Sequence, residues 1–128
     1  MKRLASIALT SFAAIAVAAC SGDTGSPAPP SEPAGSAACT VSTAAVVVTV
    51  DIEGRTFDPG TVRAKVGEVI GWTNHDGVPH TATLDDGSCT TENIGKDATG
   101  SLVFSAPGSY PYHCRIHPDM LGRIEIES

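Results

Sequence analysis

The chain has 128 residues and a net charge of −6, which suits one domain and excludes two conventional cores. An acidic surface argues against nucleic-acid binding, although it permits a basic protein partner. Thirteen glycines, nine prolines and few helix formers beyond residue 45 favour an all-β domain.

The first element is not part of that domain. "MKRLASIALTSFAAIAVAAC" starts with Lys2 and Arg3, continues in an apolar run and ends on small residues before Cys20. The run is too short for a confident membrane span and reads as a secretory signal over residues 1–19. Its ending, "VAAC", resembles a bacterial lipobox, in which the cysteine becomes the lipidated first residue of the mature protein. The alternative is an ordinary signal cleaved nearby. Loss of Lys2 and Arg3 would take the net charge from −6 to −8. Residues 20–38 then comprise Cys20 and a tether rich in Pro, Gly and Ser. That tether has no periodic apolar pattern with which to fold. The folded domain is expected over residues 39–128.

Strands are expected next, in chain order. "AVVVTVDI" (45–52) is a strong β-forming run. "TVRAKV" (61–66) alternates, with Val62, Ala64 and Val66 on one face. Gly67 marks a turn, and "EVIGWTN" (68–74) follows with Trp72 expected in the core. "HTATL" (80–84) is a short strand. "GSLVFSA" (100–106) and "SYPYHC" (109–114) flank the turn signal "PG". "GRIEIE" (122–127) alternates with Ile124 and Ile126 inward. Some seven to eight short strands separated by Gly/Pro turns point to a Greek-key β-sandwich.

Chemistry concentrates in "YPYHCRIHPDM" (110–120), where a cysteine, two histidines and a methionine fall within eight positions. Alternation places Tyr110, Tyr112 and Cys114 on one face of the strand, the inward one because it carries the aromatics. His113 points the other way and is poorly placed to share a metal with Cys114. His117 and Met120 lie in the turn beyond, which can fold back over Cys114. A second imidazole is missing from this segment, and His80, after the loop "NHDGVP", is the candidate; His75 looks solvated. Cys, two His and a weak axial Met form the donor set of a blue-copper site. Zinc is the poorer fit, because a thioether is an unusual zinc ligand. Four protein donors leave no obvious open position for substrate, so an enzyme is not expected.

At these residues the chain resembles the cupredoxins of the plastocyanin and amicyanin type. "GEVIGWTNHDGVPHTATL" is similar to the segment carrying that family's first histidine. "FSAPGSYPYHCRIHPDMLGRIEIE" is similar to its C-terminal copper segment, with the short amicyanin-like spacing Cys114-x2-His117-x2-Met120. The resemblance implies one type 1 copper per chain, with His80, Cys114 and His117 in the plane and Met120 axial. It also implies an electron port at His117, surrounded by Pro79, Pro118 and Leu121. Thr81 stands where the family often has Asn, and its hydroxyl is placed to tie the two ligand loops together. Ile116 stands where proline commonly precedes the second histidine, and Arg115 adds a positive charge near the copper.

The function implied is an electron carrier shuttling single electrons between redox donor and acceptor proteins outside the cytoplasm. The protein would be a monomer, held at the membrane by a lipid anchor only, with no nucleic acid partner. The alternative is a copper-binding protein that delivers or stores the metal in the cell envelope. With Cys114 assigned to copper and Cys20 to lipid, Cys39 and Cys89 remain. In an exported chain an even pair favours a disulfide over two unpaired thiols. Closing such a ring would contribute about 4 kcal/mol in the chain-entropy account.

Overall fold

The computed structural model describes residues 38–128. The readings on Lys2, Arg3, Cys20 and the tether lie outside the described residues. No helix among the described residues is long and apolar enough to cross a membrane.

Among the described residues, nine strands form two sheets: β1 (Cys39–Val41), β2 (Val48–Glu53), β3 (Thr56–Asp58), β4 (Thr61–Lys65), β5 (Val69–Asn74), β6 (Thr83–Leu84), β7 (Thr99–Phe104), β8 (Gly108–His113) and β9 (Leu121–Glu127). The five-stranded sheet has the order β1-β7-β5-β2-β3 and the four-stranded sheet the order β4-β9-β8-β6. Pairing is antiparallel except for β2 with β5 and β4 with β9. This is the expected Greek-key β-sandwich. The strand number exceeds the expected seven to eight because β1 and β3 are three residues each, too short to show a period.

The inward faces follow the alternation of the sequence. Val50 and Ile52 of β2, Val62 and Ala64 of β4, and Ile124 and Ile126 of β9 are buried between polar neighbours. Val66 lies beyond the end of β4 and is 39% exposed, against the expectation that it faces the core. Trp72 is fully buried at the centre. Its indole edge meets the Tyr112 ring at 5.6 Å between centroids, and its Nε1 donates to the Tyr112 hydroxyl at 3.1 Å. Phe57 closes the other side of Tyr112 at 4.7 Å. Burial pushes the Tyr112 hydroxyl pKa up to about 12, partly offset by the indole N–H, so this phenol stays protonated.

The expected strand 45–52 begins only at Val48. The sheet order explains the difference. Between β1 on the far side of β7 and β2 on the far side of β5, the chain must cross both strands. Val46 crosses over β5 at Gly71, where an added Cβ would lie 2.6 Å from a Val46 methyl carbon. The apolar run that looked like strand is thus partly a crossing.

Gly122 on β9 serves a similar close approach. It pairs with Tyr112 on β8, and an added Cβ there would lie 2.6 Å from the Tyr112 hydroxyl oxygen. The ring cannot retreat, because Phe57 and Trp72 hold it from other sides. Gly122→Ala is therefore expected to cost about 1–3 kcal/mol by overpacking, measured by chemical denaturation. An unchanged midpoint would show that β9 yields freely at this point.

Cys39 and Cys89 form the expected disulfide, with Cα atoms 6.0 Å apart and both side chains buried.

Candidate metal centre

The C-terminal half of the site is a closed loop. β8 and β9 are antiparallel, with His113 opposite Leu121, so the ladder delivers Cys114 and Met120 to the same end of the sandwich. There the Cys114 N–H donates to the Met120 carbonyl at 3.0 Å, and the Met120 N–H to the His117 carbonyl at 2.9 Å. These bonds fold the turn back as expected. Cys114 is fully buried, Met120 is buried, and His117 is half-buried at the rim.

The other half is the loop from Asn74 to His80. Asn74 is fully buried and donates through its amide to the carbonyls of Val78, at 2.8 Å, and Ile94, at 2.9 Å. Its side-chain oxygen accepts the Asp76 N–H at 2.8 Å. His80 follows, fully buried and bridged to Ile94 by two backbone hydrogen bonds. The two halves are tied across the site. Thr81 N–H points at Cys114 Sγ from 3.4 Å, and Thr81 Oγ1 accepts the Arg115 N–H at 2.8 Å. This is the tie between ligand loops expected of Thr81.

Three donor atoms converge. His80 Nδ1 lies 3.7 Å and His117 Nδ1 3.8 Å from Cys114 Sγ, and the two imidazole nitrogens are 3.2 Å apart. His80, Cys114 and His117 make the one such group of three among the described residues. His113 and His75 are excluded, as expected: His113 is turned to Asp85 and His75 to Asp51.

One group in this site had no signal in the sequence. Asp76 Oδ2 accepts from His80 Nε2 at 2.9 Å. The same carboxylate accepts the N–H groups of Gly54, at 2.7 Å, and Arg55, at 2.9 Å. Gly54 and Arg55 form the β2–β3 turn with φ near +60° at both residues, the geometry of a two-residue hairpin. The Arg55 N–H, more than any other group, holds the Asp76 carboxyl below the ordinary carboxylate range, so it is ionised and accepts only. His80 must then carry its proton on Nε2. In the neutral ring, the Nδ1 lone pair is left facing Cys114 and His117.

That arrangement has a plain chemical meaning. Donors 3.2 to 3.8 Å apart lie around a common centre at bonding distances of about 2.0–2.3 Å from nitrogen and sulfur. A cation at that centre would be met by the His80 Nδ1 lone pair, by the Cys114 sulfur and, in the tautomer protonated on Nε2, by His117 Nδ1. The set fits a soft metal.

The match to the family model for the cupredoxin-like domain spans residues 11–125. The chain belongs to the cupredoxin-like family. Among similar proteins, an amicyanin from Paracoccus denitrificans is 31% identical over 96 residues, covering 71% of this chain and 72% of the relative. An amicyanin from Paracoccus versutus is 33% identical over 96 residues, with 71% of each covered. A chloroplast plastocyanin from Tetradesmus obliquus is 26% identical over 106 residues. The Cu(I) form of an amicyanin variant superposes with a TM-score of 0.63 at 26% identity, covering 71% of this chain and all of that one. The likeness to amicyanins agrees with the expectation that the chain is not an enzyme. Of the residues expected around His117, Leu121 is 68% exposed, and Pro79 and Pro118 are exposed as well; Arg115 and Asp119, two residues to either side of His117 in the chain, are also exposed.

Proposed function

We propose that this cupredoxin is an extracytoplasmic electron carrier in which His80, Cys114, His117 and Met120 would hold one type 1 copper. The observation that carries this reading is the convergence of two imidazole nitrogens on one buried cysteine sulfur, with the His80 ring and the Cys114 sulfur held by hydrogen bonds from outside the cluster. Bound there, copper supplies a Cu(I)/Cu(II) couple. The residues around it do the rest. Asp76 and the Ile94 backbone hold His80, and the Thr81 N–H stabilises negative charge on the Cys114 sulfur. Ties on both sides of the ligand set limit how far it rearranges between oxidation states, which favours fast transfer. His117, half-buried between the exposed Ile116 and Pro118 in the chain, is the port through which a redox donor and an acceptor protein exchange electrons. The cluster's burial and rigid ties favour this over the alternative of copper delivery or storage, which calls for a site that opens.

Titration with Cu(II) is expected to saturate at one ion per chain with an intense visible band. Met120→Ala should keep the copper but change the reduction potential and the spectrum. A variant with potential and spectrum both unchanged would remove Met120 from the ligand set.

The location proposed is the outer face of a bacterial membrane, with the protein anchored through lipid on Cys20. Several acyl chains exceed the roughly two-signal requirement for stable anchoring. Intact-mass analysis of the membrane fraction should show the mature chain starting at a lipidated Cys20. An unmodified Cys20 in that fraction would sink the anchor. Within the membrane plane, the tether would let a monomeric copper domain reach its partners.

A further inference from the structure

His80 belongs to a hairpin that extends well past the metal centre. Its strand runs antiparallel to the return segment Cys89–Ile94, with Leu84 N–H donating to the Cys89 carbonyl at 2.9 Å, Thr83 bridged to Thr90, and Thr91 N–H donating to the Ala82 carbonyl at 2.9 Å. The last rung is the Ile94–His80 pair. Any displacement of the return segment is therefore passed to the backbone of His80. The regular part of this ladder is short: β6 is two residues, and the segment after it is rich in polar side chains. Such a segment opens locally unless something else holds it.

Besides the Asn74 amide on the Ile94 carbonyl, two features hold it. Ile94 and Thr91 pack on Gly100 of β7, where an added Cβ would lie 2.8 Å from an Ile94 side-chain carbon and 3.2 Å from Thr91 Cβ. Cys89, at the far end, is bonded to Cys39 on β1. β1 is the edge of the five-stranded sheet, paired with β7, while β6 lies at the edge of the four-stranded sheet. The disulfide thus joins the two sheets on one side of the sandwich and pins the segment whose other end carries the partner of His80.

We propose that the Cys39–Cys89 disulfide is a positioning element of the metal centre, acting on His80 through Cys89–Ile94, and not only a restraint on the unfolded chain. Removing a bond that acts only on the unfolded chain would lower the stability of the whole fold alike. A positioning bond, when removed, loosens the His80–Ile94 rung more than the rest.

The test compares the metal-free wild type with Cys39→Ala/Cys89→Ala by native-state amide hydrogen exchange. Exchange at His80 and Ile94 is expected to accelerate by a factor at least about tenfold larger than at Val50 and Trp72 in the central β2–β5 ladder. Equal acceleration at all four amides overturns the proposal. Should the double variant fail to accumulate, the disulfide of the metal-free wild type is reduced with a phosphine and the same amides are followed. In a second arm, the Cu(II)-loaded double variant is expected to show a shifted visible band, whereas an unchanged band with a lower melting temperature counts against positioning. This arm rests on the copper reading above and the exchange arm does not, so failure of the one is distinguishable from failure of the other.

Discussion

Cys114→Ser will abolish the intense visible absorption of the Cu(II)-loaded protein while leaving the chain folded. The sulfur is the donor shared by both imidazoles, 3.7 Å from His80 Nδ1 and 3.8 Å from His117 Nδ1. Strong visible absorption from Cu(II) at such a site requires charge transfer from a thiolate. Cys114 is the one unbridged cysteine among the described residues, so no other thiolate there can take over. Serine offers a harder and more basic oxygen, which suits Cu(I) poorly and weakens the oxidised site as well. The fold has less reason to change. The substitution is nearly isosteric, and a serine hydroxyl can still accept the Thr81 N–H that points at the sulfur. Visible spectroscopy of the copper-loaded variant, alongside far-ultraviolet circular dichroism, separates the two effects. A variant with the full wild-type band would refute the ligand assignment, and a variant that is unfolded would show that the cysteine serves packing first.

Trp72→Ala should be the most destabilising single substitution in the core. Trp72 is a large, fully buried side chain, and the Tyr112 ring packs on its edge. Truncating a buried aromatic to alanine costs about 3–5 kcal/mol from lost burial and the cavity left behind. The variant also removes the Nε1 donor of the Tyr112 hydroxyl, and a buried polar group that loses its partner costs about 1–3 kcal/mol more. Together these approach the whole stability of a typical small domain, about 5–15 kcal/mol. The melting temperature of the metal-free protein is expected to fall by about 20 °C or more, at some 4–8 °C per kcal/mol. Trp72→Phe is the control, since it keeps most of the burial and loses only the donor. A loss under about 1 kcal/mol for Trp72→Ala would mean that neighbouring side chains collapse into the space.

The disulfide pairing was reached from the sequence by counting, since two of four cysteines had other assignments. Its consequence was not. Nothing in "DDGSCTTENIG" indicates that the residues after Cys89 return along the His80 strand, because the pairing is held by backbone groups that every residue has. The same limit applies to Asp76. It lies near Asp85 and Asp86 in polar sequence, and only the β2–β3 turn, placed by strand pairing, brings the N–H groups of Gly54 and Arg55 onto its carboxylate. Asn74 looked like the end of a strand, and its role in shaping the His80 loop depends on carbonyls four and twenty residues away.

By itself the sequence determined the β class, the inward faces of β4 and β9, and the Cys114, His117 and Met120 loop, with His113 turned away. These rest on local rules: alternation along a strand, and a ligand spacing short enough for one turn to close. Only the tertiary structure decided that Val46 crosses Gly71 instead of extending β2, and how closely the His80 named from the sequence meets His117 at the sulfur. It also decided that Asp76 fixes the proton on His80. Each of these depends on contacts between segments far apart in the chain, where the pattern of side chains in either segment carries no information about the other.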